Sequence, residues 1–71
     1  MRRVVVQCRF EDDIPKLMDI VKEFDAILIK PEKPERFDNI HFDVPEDTSD
    51  HVENFKQKLM ETIPLVAVKI F

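Results

Sequence analysis

The side chains of this 71-residue chain best suited to holding a metal ion gather in one stretch: His41, Asp43, Glu46, Asp47, Asp50 and His51. Imidazole and carboxylate groups together suit zinc, nickel or manganese. His41 and Asp43 stand at alternate positions of an extended segment and so point the same way. With His51 at the start of the next element, they form the candidate metal set. The spacing matches no specific ligand motif. A competing reading makes the carboxylates solvated first-turn groups that favour a helix N-terminus, with Asp43 paired to Arg3 across two neighbouring strands.

Other reactive groups offer less. Cys8 is the only cysteine, so no intrachain disulfide forms, which favours a reducing compartment. The run Cys8-Arg9-Phe10-Glu11 lacks the second thiol of a metallochaperone loop. Alternation with Val4 and Val6 turns Cys8 inward as a small buried hydrophobe rather than a nucleophile. The pairs Asp12-Asp13 and Glu46-Asp47 have the chemistry of an acid and a base, yet no other residues build a pocket around them, and helix capping accounts for them. The chain contains no glycine, which excludes phosphate-cradling loops and dinucleotide fingerprints. An enzyme is therefore not expected.

The elements that position these residues follow from periodicity. Arg3 to Phe10 alternates as a strand, with Val4, Val6, Cys8 and Phe10 on one face. Glu11-Asp12-Asp13 caps a helix that has Pro15 in its first turn. Ile14, Leu17, Met18, Val21 and Phe24 form its apolar stripe, opposite Lys16, Asp19, Lys22 and Glu23. Asp25 to Lys30 is a second strand, stopped by Pro31 and Pro34. Arg36 to Val44 is a third, with Ile40, Phe42 and Val44 inward and Asn39, His41 and Asp43 outward. Thr48, Ser49 or Asp50 caps a second helix carrying Val52, Phe55, Leu59 and Ile63, ended by Pro64. Leu65 to Phe71 is the last strand, with Val66, Val68 and Ile70 on one face.

The order βαββαβ predicts an α+β, ferredoxin-like sandwich over residues 1–71 as one domain. Two helices cover one face of a four-stranded antiparallel sheet of order 4-1-3-2. This order resembles that of amino-acid-binding ACT domains, regulatory modules with a glycine-containing ligand loop after the first strand, a loop for which this chain has no glycine. Ile40 to Phe71 resembles the cytoplasmic C-terminal domain of cation diffusion facilitators: a strand, a Pro-Glu turn, a helix with an early histidine and a last strand. That resemblance implies a divalent-metal-responsive domain in which His51 is the helix histidine.

Net charge of −4 disfavours nucleic acid and anionic membranes, and Arg2-Arg3 is the only basic pair. The outward strand positions Val5, Gln7, Asn39 and His41 also lack the aromatics that stack on RNA bases. No apolar run approaches the roughly 18 residues of a membrane span, so a cytoplasmic protein is expected. What remains is a surface. Val5 on the first strand and Leu65, Ala67 and Phe71 on the last are left uncovered by the helices, with Lys69 the single charge on that edge. Val5, Leu65, Ala67, Lys69 and Phe71 are thus the expected interface of a non-catalytic binding or regulatory module that forms a homo-oligomer or docks on a protein partner. No cofactor is required. The alternative is a module that binds a divalent metal such as zinc through His41, Asp43 and His51.

Overall fold

A computed structural model describes residues 1–46 and 48–71; Asp47, a member of the acidic cluster, lies outside them. The elements are β1 (Arg2–Gln7), a 3-10 turn (Glu11–Asp13), α1 (Ile14–Glu23), β2 (Ile27–Lys30), β3 (Ile40–Val44), α2 (Ser49–Thr62) and β4 (Ala67–Ile70). They form a four-stranded antiparallel sheet of order β2-β3-β1-β4, the expected topology, with both helices packed on one face.

The core is what the periodicities of β1, β3 and the second helix select, while α1 adds Ile20, which its expected stripe omitted. Val4, Val6 and Cys8 from the first strand segment, Ile40, Phe42 and Val44 from β3, and Val52, Phe55, Leu59 and Ile63 from the second helical segment are buried. From α1, Leu17, Ile20 and Val21 are buried, whereas Ile14, Met18 and Phe24 sit half-buried at the rim. Aromatic rings tie the layers. Phe42 meets Phe55 edge-on at 6.5 Å, Phe55 meets Phe24 at 5.4 Å, and Phe24 meets His51 at 5.5 Å, the separations at which ring quadrupoles attract. Thr48 caps α2, its hydroxyl accepting from the backbone N–H of His51 at 3.3 Å.

Several boundaries differ from expectation. β1 stops at Gln7, so Phe10 does not continue the inward alternation and is exposed. β3 begins at Ile40, because residues 36–39 belong to a loop fastened over the end of β1. There the Phe37 N–H donates to the Cys8 carbonyl at 2.8 Å, and Gln7 Nε2 donates to the Phe37 carbonyl at 2.8 Å. In β2 a bulge between Leu28 and Lys30 shifts the alternation, leaving Leu28 toward the core and Lys30 opposite His41. Leu65 is not in β4. It sits in the turn after α2 at φ 59°, so its side chain does not follow the strand alternation that had placed it beside Ala67.

The acidic run after β1 also behaves differently. Asp13 occupies the N-cap position of α1 but makes no capping hydrogen bond, and Glu11 instead accepts from the Arg36 N–H at 2.9 Å. The Asp13 carboxylate is buried, with Oδ1 3.4 Å from Lys16 Nζ and Oδ2 without a partner among the described residues.

Candidate functional site

Antiparallel pairing places directly opposed residues on one face, so the side of the sheet away from the helices can be read row by row. One row runs Phe71, Arg3, Asp43, Ile27; the next runs Lys69, Val5, His41, Lys30; a third begins Ala67, Gln7. Val5, Gln7, Asn39, His41, Ala67, Lys69 and Phe71 line a shallow concavity of about 280 Å³ on this face. Four of the five expected interface residues, Val5, Ala67, Lys69 and Phe71, are thereby brought together, while Leu65 stands outside in its turn, 67% exposed.

The charges of the face form a pattern that residue-by-residue reading misses. Arg2 and Arg3 are neighbours in sequence, but strand alternation sends them to opposite sides, so they form no basic patch. Arg3 faces the open side, whereas Arg2 lies with Ser49, Val52, Glu53 and Ile70 on the helix side. The register instead assembles Arg3, Lys30 and Lys69 on the open face, with Asp43 as the single carboxylate in the rows. Arg3 Nε donates to Asp43 Oδ1 at 2.8 Å, the cross-strand pair foreseen from the sequence. A face of this chain is therefore cationic although the chain as a whole carries −4.

His41 is the centre of that row. Arg3 Nη1 lies 3.4 Å from His41 Nδ1. Arginine can only donate, so Nδ1 accepts and the proton of the neutral ring stands on Nε2. Desolvation of the ring, followed by the charges of Lys30 and Arg3, lowers the His41 pKa below the usual imidazole value. At neutral pH His41 is thus an uncharged donor flanked by cations.

The candidate metal set is not gathered. His41 and Asp43 occupy the open face, whereas His51, on the first turn of α2, turns toward the end of α1. Its Nε2 donates to the Phe24 carbonyl at 2.9 Å, and its Nδ1 lies 3.4 Å from Glu46. The sheet separates the two histidines because His41 is at an outward position of β3, whereas α2, which carries His51, packs on the opposite face. Among the described residues no group of three or more His, Cys, Asp or Glu side chains converges as a metal site. Cys8 is fully buried, and burial first, then the nearby Asp13 carboxylate, pushes its thiol up to about 11. It has neither the exposure nor the cationic neighbour that a nucleophilic thiolate needs.

Compared with known proteins, the chain matches no family model, no curated protein and no solved structure. Among the described residues no helix is long and apolar enough to cross a membrane.

Proposed function

We propose that this protein is a non-catalytic binding or regulatory module that takes a protein strand, from a second copy or from a partner chain, on the outer edge of β4 and the adjoining open face. The observation that carries the reading is the state of β4. It is the last strand of the sheet, pairs only with β1 among the described residues, and exposes Ala67, Lys69 and Phe71 beside a cleft floored by Val5. A strand edge with unmet backbone groups and adjacent apolar side chains is a template for another chain. The buried, weakly acidic Cys8 thiol suits a reducing compartment, and we assign the module to the cytoplasm. The metal reading has less to rest on, since His41 and Asp43 supply two ligands at most and Asp43 is engaged by Arg3.

Sedimentation at micromolar concentration, joined to capture of partners by the immobilised chain, tests the proposal. Self-association or partner binding through β4 should be abolished by Ala67→Glu and weakened by Leu65→Lys, with the unfolding transition unchanged. Association that persists in Ala67→Glu, or that is lost only on substitution of helix residues such as Met60, would overturn it.

A further inference from the structure

The occupant of the β4 edge can be specified further on the reading just given. The backbone sets its geometry. The Phe71 N–H donates to the Arg3 carbonyl at 2.9 Å, which makes Arg3 and Phe71 a hydrogen-bonded pair. Along the same register, Lys69 and Ala67 direct their backbone groups to Val5 and Gln7, so Val68 and Ile70 turn theirs outward, away from the sheet. An added antiparallel strand would bond to Val68 and Ile70, and its side chain opposite Lys69 would stand on the open face.

The two sides of that edge differ in charge. On the open side Lys69 makes no ion pair among the described residues, and Arg3 and Lys30 add to its field while Asp43 offsets one of them. On the helix side the edge is lined by Val52 and Ile70, with Arg2 and Glu53 opposing each other in charge. A strand suited to both sides carries acidic residues at the positions facing Lys69 and apolar residues between them. A second copy fits poorly, because each of its own edges brings a lysine: Lys30 on β2 and Lys69 on β4. Stacking two open faces about a two-fold axis would likewise set like charges together.

We infer that β4 seats an extended partner segment in which acidic and apolar residues alternate, paired through Val68 and Ile70 and selected by Lys69. The test is an NMR titration of the full chain with synthetic peptides of alternating Glu and Val, an isomer of the same composition with the glutamates in one block, and alternating Lys-Val and Thr-Val versions. The Glu-Val peptide should bind roughly two- to five-fold more tightly than Thr-Val for each cross-strand pair formed, with amide shifts centred on Val68 and Ile70. Its advantage should vanish in Lys69→Gln and pass to the Lys-Val peptide in Lys69→Glu. Equal affinity for Glu-Val, the blocked isomer and Thr-Val would overturn the acidic specification while leaving strand docking in place. Shifts confined to other elements would sink both readings. A wild-type dimer that occupies the β4 edge and excludes the Glu-Val peptide would replace the partner segment with a second copy.

Discussion

Cys8 and His41 show how a side chain's surroundings decide what its chemistry can do. The Cys8 thiol, enclosed by Val4, Val6 and the helix layer with the Asp13 carboxylate nearby, is held in its neutral form. It should label slowly with a thiol reagent at neutral pH and rapidly only after unfolding. Cys8→Ser, which buries a hydroxyl without an assured partner, should cost about 1–3 kcal/mol, and Cys8→Ala less. Rapid labelling of the folded chain would show that the enclosure is wrong. His41 carries a pH signature. Because its folded pKa is lowered, the unfolded chain binds the proton more readily, so His41 subtracts stability as pH falls through the ordinary imidazole range. The loss levels off once pH passes below the folded value. Urea unfolding midpoints followed from roughly pH 7 to 5 should therefore decline less in His41→Gln than in the parent; an identical decline would assign it to other groups.

At the scale of the elements, the alternation argued for β4 has a sharp consequence. The Val68 N–H points outward, so Val68→Pro should leave the β1–β4 ladder intact, whereas Lys69→Pro removes a ladder donor opposite Val5. Thermal unfolding should show Lys69→Pro to be the more destabilised by about 1–3 kcal/mol; equal losses would mean that the outward set is misassigned. Element identity and order were legible in the sequence because each core face repeats with its own period: Val4, Val6 and Cys8 by twos, Val52, Phe55, Leu59 and Ile63 by threes and fours. Element ends were not, because tertiary contacts set them. The loop carrying Phe37 is fastened by the Cys8 carbonyl and Gln7, partners distant in sequence. The candidate face was half legible. Val5, Ala67, Lys69 and Phe71 could be placed from alternation alone, but the convergence of Lys30 with Arg3 and Lys69 depends on the β2 bulge and on strand register, which periodicity does not encode.

Taken as a whole, the molecule carries a net charge of −4, yet the strand rows of its open face set Arg3, Lys30 and Lys69 against Asp43 alone, a local segregation of positive charge. That segregation orients an approaching partner before contact, and its effect should fade as salt shortens the Debye length to a few Å. A last consequence lies in the backbone. Asp25, Phe37 and Leu65 hold left-handed conformations at φ 56°, 67° and 59° in a chain that contains no glycine. Left-handed geometry costs an ordinary residue about 1–2 kcal/mol. The same lack of glycine narrows the denatured ensemble, because every residue that is not glycine has fewer conformations to lose, by about 0.4–1 kcal/mol each at compatible sites. Part of this protein's stability therefore belongs to its unfolded chain, and ranking variants by native contacts alone would misplace those that introduce glycine.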